Sequence, residues 1–134
     1  MHERTKSFEH LKEAMCLALV LATPDFTKTF IGECDASQNG FGVFLMQDGR
    51  PISFESRPIK GKYLHKSIYE KELLAILHAL NKWRPYLMGR HFKVKNYHDS
   101  LKHFLEQRQY LEEQQKWVTK MLGYDFEIIY KKVS

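Results

Sequence analysis

The chain has 134 residues, 43% of them hydrophobic and 28% charged, with a formal net charge of +5. That length and balance fit one globular domain able to bury a core without disulfides or structural metals. Two cysteines, Cys16 and Cys34, exclude a disulfide framework and a cysteine-based metal site.

The moderate positive charge suits a polyanionic partner such as nucleic acid. The N-terminus shows no signal-peptide pattern, and the apolar run Met15 to Ala22 is too short to span a bilayer. An intracellular location, cytoplasmic or nuclear, with no membrane contact is expected.

In chain order, Phe8, Leu11, Met15 and Ala18 recur at helical spacing, and Ser7 is a candidate cap. Thr23-Pro24-Asp25 ends this helix, because proline pushes the residue before it out of helical geometry.

From Phe30 to Phe54, three short apolar runs are separated by Gly, Asn and Asp, the pattern of a three-stranded antiparallel meander. Asp48-Gly49 predicts a two-residue I′ hairpin turn, which needs positive φ at both central positions. Asp35 falls at the end of the first strand, followed by a Ser-Gln-Asn-Gly turn. In an open α/β sheet that edge is where ligands bind, although an aspartate that merely shapes a turn fits the same position.

Lys60-Gly61-Lys62 is a loop, and Ser67 opens the longest helical pattern, with Tyr69, Leu73, Ile76, Leu77, Leu80, Trp83 and Leu87 on one broad face. Pro85 breaks or kinks it near Trp83-Arg84. Glu72 has Ile68, Tyr69, Ala75 and Ile76 at its i±3 and i±4 positions and so lies within or beside the buried face. A carboxylate turned inward needs a partner, a metal or a raised pKa.

His91 to Tyr97 alternates as a strand; parallel to the first, it would bring Tyr97 beside Asp35. A short helix over 100–107, a helix from Glu112 to Leu122 and a strand from Tyr124 to Tyr130 complete the order β-β-β-α-β-α-α-β.

Carboxylates gathered at strand ends and a helix make a hard-oxygen site suited to Mg²⁺ or Mn²⁺. Asp35 and Glu72 suffice for a weak single-ion site and are thin for two. No HExxH pair, nucleophile elbow or phosphate loop appears. Lys60, Lys62, Lys66, Lys82, Arg84, Arg90, Lys93, Lys95 and Lys102 cluster in sequence around the long helix and the strand after it. They could hold a duplex by its phosphates or form a solvated basic face.

The blocks Glu33-Cys34-Asp35-Ala36-Ser37, Tyr69-Glu70-Lys71-Glu72-Leu73-Leu74-Ala75, Lys82-Trp83-Arg84 and Gln115-Lys116-Trp117 occur in the order found in a known family. So do Gly40 through Gln47, Tyr86 through Phe92 and Leu122 through Ile128. Together they resemble the RNase H domain of gypsy-type long-terminal-repeat retrotransposon reverse transcriptases.

The resemblance implies an RNase H-like fold, a mixed five-stranded sheet flanked by helices. It also implies cleavage of RNA in RNA–DNA hybrids by two Mg²⁺ ions held by four acids. Its first two acids fall on Asp35 and Glu72, as catalytic and metal-binding residues, with Ser37, Lys66, Tyr69 and His98 as substrate contacts. Its third acid is replaced by Tyr97 in Asn96-Tyr97-His98, and a phenol with a pKa near about 10 cannot stand in for a carboxylate at neutral pH. The segment carrying the fourth acid, and with it the C-terminal helix, is expected to be missing.

Residues 1–27 correspond to a connecting segment and 28–134 to the RNase H-like domain. The expected function is that of a degenerate, catalytically impaired RNase H-like domain. A domesticated nucleic-acid or protein interaction module, using the basic face or the first helix with Leu11 and Met15, and a nuclease completed by a further segment or partner are the alternatives.

Overall fold

The computed structural model describes residues 23–96, 100–107 and 109–130. The first helix with Leu11, Met15 and Cys16, and residues Tyr97, His98 and Asp99, lie outside the described residues.

Three strands open the fold: β1 (Ile31–Ala36), β2 (Gly40–Gln47) and β3 (Arg50–Pro58), paired antiparallel as the meander predicts. The hairpin between β2 and β3 turns on Asp48 and Gly49 with φ of 50° and 73°, the double positive φ that Asp-Gly accepts at least cost. A 3₁₀ turn at Gly61–His65 replaces the expected plain loop.

Helix α1 (Ile68–Lys82) starts on a capping box: the Ser67 hydroxyl accepts from the Glu70 N–H, and the Glu70 carboxylate accepts from the Ser67 N–H at 3.1 Å. It stops at Trp83, and a four-residue helix α2 (Arg84–Leu87) restarts with Pro85 in its first turn, where a missing N–H is harmless. Strand β4 (His91–Asn96), helices α3 (Ser100–Leu105) and α4 (Glu112–Met121), and strand β5 (Asp125–Tyr130) follow.

The sheet order is β3-β2-β1-β4-β5, with β4 parallel to both β1 and β5. Alternation along each strand turns Gly32, Cys34, Val43, Leu45, Phe92 and Val94 toward the helices, where Ile76, Leu80 and Trp83 meet them. Leu73 and Leu101 are wholly buried in this layer, each contributing about 2–3 kcal/mol through burial. Phe44 and Phe54, cross-strand partners with ring centroids 4.7 Å apart, lie on the other face.

Candidate functional site

Asp35 is the penultimate residue of β1, opposite Gly42 in β2. The turn after it is closed by the Ser37 N–H donating to the Gly40 carbonyl at 2.8 Å and fixed to the chain beyond β3 by the Ile59 N–H donating to the Asn39 carbonyl at 2.8 Å. A Cβ on Gly40 would stand 2.9 Å from the Arg57 carbonyl oxygen, so the strands approach this closely only because the residue is glycine.

Glu72 comes from the second turn of α1 and is 1% exposed. One carboxylate oxygen of Asp35 and both of Glu72 are shielded from solvent. Both acids bear electrostatically on the Cys34 side chain. Its thiol pKa is pushed up, first by burial, then by the Glu72 carboxylate, then by Glu33 and Asp35. The helix acid is thus the strongest charge felt by a thiol that adjoins Asp35 in sequence.

Two hard-oxygen carboxylates from a strand end and a helix fit a single Mg²⁺ or Mn²⁺. Among the described residues no third His, Cys, Asp or Glu joins them. The donor set does not match two ions, which need about four acids to offset their charge.

Of the expected substrate contacts, Ser37 is exposed at the turn, its hydroxyl donating to the Gly40 carbonyl at 3.2 Å. Lys66 pairs with Glu113 at 2.9 Å and stands 5.6 Å over the Trp117 ring, which ties the start of α1 to α4. The Tyr69 ring tilts against Phe104 with centroids 5.0 Å apart, half-buried in the core layer. His98 lies outside the described residues.

The basic cluster does not form one face. Lys82 is held by Glu55, and Arg90 donates to the Phe26 carbonyl at 2.8 Å with its guanidinium over the Phe26 ring. Lys93 and Lys95 alternate with the core residues Phe92 and Val94 and so lie on the sheet face away from α1.

Sequence reasoning did not single out the buried polar residues near the pair. Lys71 is 3% exposed beside Glu72, Asn96 is fully buried at the end of β4, and Glu33 is buried next to Cys34. Only Lys71 left a trace in the pattern: a lysine with Leu74, Ala75 and Ile68 at helical neighbour positions.

The family model for the RNase H-like domain found in reverse transcriptase matches residues 1–94. The chain belongs to that family. The Pol polyprotein of transposon 297 from Drosophila melanogaster is 37% identical over 130 residues, 97% of this chain and 12% of its own length. This RNase H-like domain therefore spans about an eighth of the curated relative it matches.

The prototype foamy virus protease-reverse transcriptase superposes on the whole RNase H-like domain with a TM-score of 0.74 at 20% identity, over 19% of the viral chain. LC11-RNase H1, solved in complex with an RNA/DNA hybrid, superposes with a TM-score of 0.61 at 13% identity, over 78% of this chain and 86% of that one. Both similarities show the fold, an RNase H-like mixed sheet with helices.

Among the described residues no helix is long and apolar enough to cross a membrane.

Proposed function

We propose that this retrotransposon RNase H-like domain engages RNA–DNA hybrid while being impaired as a nuclease. The observation that carries the reading is that the Asp35 and Glu72 carboxylates both raise the pKa of the buried Cys34 thiol, with Tyr97 at the third acid position of the motif. Asp35 and Glu72 would hold one Mg²⁺ or Mn²⁺. Such an ion supplies Lewis-acid charge that stabilises negative charge developing on a phosphodiester.

The residues of the chain supply position and exclusion. Glu72 is withheld from water, Asp35 is fixed by the strand register, and Ser37 is presented at the turn. Hybrid binding through phosphates is sequence-independent and weakens with salt. The foamy virus enzyme bound to double-stranded DNA and LC11-RNase H1 bound to hybrid support a duplex as the ligand class.

The test is cleavage of a labelled hybrid in Mg²⁺ and in Mn²⁺ by the wild-type chain, Tyr97→Asp and Asp35→Asn. The expected result is salt-sensitive hybrid binding by the wild type, cleavage near background, and a gain in Tyr97→Asp. Robust wild-type cleavage abolished by Asp35→Asn would overturn the impairment. Absence of hybrid binding at low salt would overturn the ligand.

A further inference from the structure

Lys71 is a buried lysine that has no carboxylate ion-pair partner among the described residues. It is 3% exposed, immediately precedes Glu72, and its ammonium Nζ donates to the Gln38 backbone carbonyl at 2.8 Å. Lysines are rarely buried this far, because the ammonium loses its hydration and must regain hydrogen bonds inside the protein. A leucine or methionine would cover the same apolar surface without that cost. The head group must therefore be retained for what it holds.

What it holds is the turn that follows Asp35. Gln38 is a central residue of the Ser37–Gly40 turn, whose other bonds, Ser37 to Gly40 and Ile59 to Asn39, run to the antiparallel half of the sheet. Lys71 instead ties the turn to α1, the element that carries Glu72. It also lines, with Gln38, Asn39, Leu64, Lys66 and Ile68, a cleft at this edge. Its charge thus lies beside the turn and is not sealed in the apolar layer.

We propose that Lys71 is a positioning residue for the Asp35–Glu72 pair. Its ammonium latches the β1–β2 turn onto the start of α1 and so fixes the distance between the two carboxylates. The proposal rests on the reading of Asp35 and Glu72 as a cation site. A functional constellation holds its geometry to within about 0.5 Å only when its supporting contacts are locked, and Mg²⁺ is strict about ligand placement. Lys71 does this without touching the ion, its charge being of the wrong sign to ligate one.

The experiment uses the full chain as wild type, Lys71→Met and Lys71→Arg, in two measurements. The first is metal-free amide hydrogen exchange. In Lys71→Met the Ser37 and Ile59 amides are expected to exchange ~10-fold faster, beyond any change at the core amides Val43 and Leu45, with Lys71→Arg restoring protection. The second is Mn²⁺ affinity by calorimetry, with Asp35→Asn as the control that removes the site. Lys71→Met is expected to weaken binding ~5-fold or more and Lys71→Arg to recover it.

Unchanged exchange at Ser37 and Ile59, or a rise matched by the core amides, would overturn the latch. A loosened turn with unaltered Mn²⁺ affinity would overturn the positioning role. If the wild type binds no Mn²⁺, the cation-site reading fails, and the exchange data alone decide the latch. Should Lys71→Met not fold, Lys71→Gln, which is uncharged and shorter, is read by the same criteria.

Discussion

Cys34 lies directly opposite Asn96 in the parallel register of β1 and β4, and both side chains are buried at that seam. The pairing brings the carboxyl ends of the two strands level, so Asp35 marks the edge of the sheet at which β4 also ends. It places the thiol beneath the candidate site, among Glu72, Glu33 and Asp35.

A thiol held up by burial and by three carboxylates is protonated at neutral pH and a poor nucleophile. With Cys16→Ser in the background, Cys34 is expected to react with a disulfide reagent at pH 7.5 at least ~10³-fold more slowly in the native chain than in denaturant, as a core position that opens only on substantial unfolding. Glu72→Gln removes the largest charge acting on the thiol and should shift its titration downward. Rapid labelling of the native protein would show that Cys34 is not sealed under the site.

The meander, the long helix broken at Pro85 and the two later helices were legible because each carried a strong local signal. Asp48-Gly49 specified its turn by the φ values it tolerates, and the apolar face of α1 specified what it buries. Asp35 and Glu72 were legible for different reasons, one from a strand end and one from helical periodicity.

The basic residues that cluster in sequence do not share one surface, because closeness in sequence says nothing about which sheet face a strand residue occupies. Lys93 and Lys95 were separated from α1 by the pleat alone. The helical pattern sets Lys71 among apolar neighbours, but the Gln38 carbonyl it captures, 33 residues away in sequence, cannot be read from that pattern.

Two glycines of the meander should respond oppositely to alanine. A Cβ on Gly32 meets nothing nearer than the Phe44 carbonyl oxygen at 3.9 Å, and the residue lines a small apolar cavity of about 20 Å³. Gly32→Ala is expected to raise stability by about 0.5–1 kcal/mol, chiefly by restricting the unfolded chain. A Cβ on Gly40 would press on the Arg57 carbonyl at 2.9 Å, in the strand β3 to which it is paired. Gly40→Ala should cost about 1–3 kcal/mol. Urea midpoints moving in the same direction would refute this packing at one of the two positions.

Glu55 accepts hydrogen bonds from Lys82 and Arg57, and these hold its carboxyl pKa down at about 2 from its ordinary value of 4.5. A depressed carboxyl stabilises the fold above its unfolded pKa and loses that contribution as pH falls, here between 4.5 and about 2. Lys82 and Arg57 are 38% and 57% exposed, so solvent screening reduces the contribution to about 1 kcal/mol. Lys82→Met, removing the stronger of the two partners, should lower stability at pH 6 and leave it nearly unchanged at pH 2. An equal loss at both pH values would mean that the effect is packing of the lysine stem.

His91 begins β4 opposite Asp125 of β5, with its Nδ1 3.1 Å from the Asp125 carboxylate and its Nε2 3.6 Å from that of Glu127. The imidazole thus bridges the last two strands, at the end of the sheet away from Asp35. The Asp125 contact, then its charge and that of Glu127, raise the His91 pKa above its ordinary 6.5. A raised histidine favours folding at pH below its unfolded value, and the contribution disappears as pH rises through the folded pKa. An NMR titration of the ring should give a pKa above 6.5, falling toward that value in Asp125→Asn and again in high salt, since the group is fully exposed to screening. A His91 pKa that ignores Asp125→Asn would show that the β4–β5 edge is not clamped by this pair in solution, leaving the backbone ladder from His91 to Asn96 and the stacked Phe92 and Phe126 rings to join β5 to the sheet.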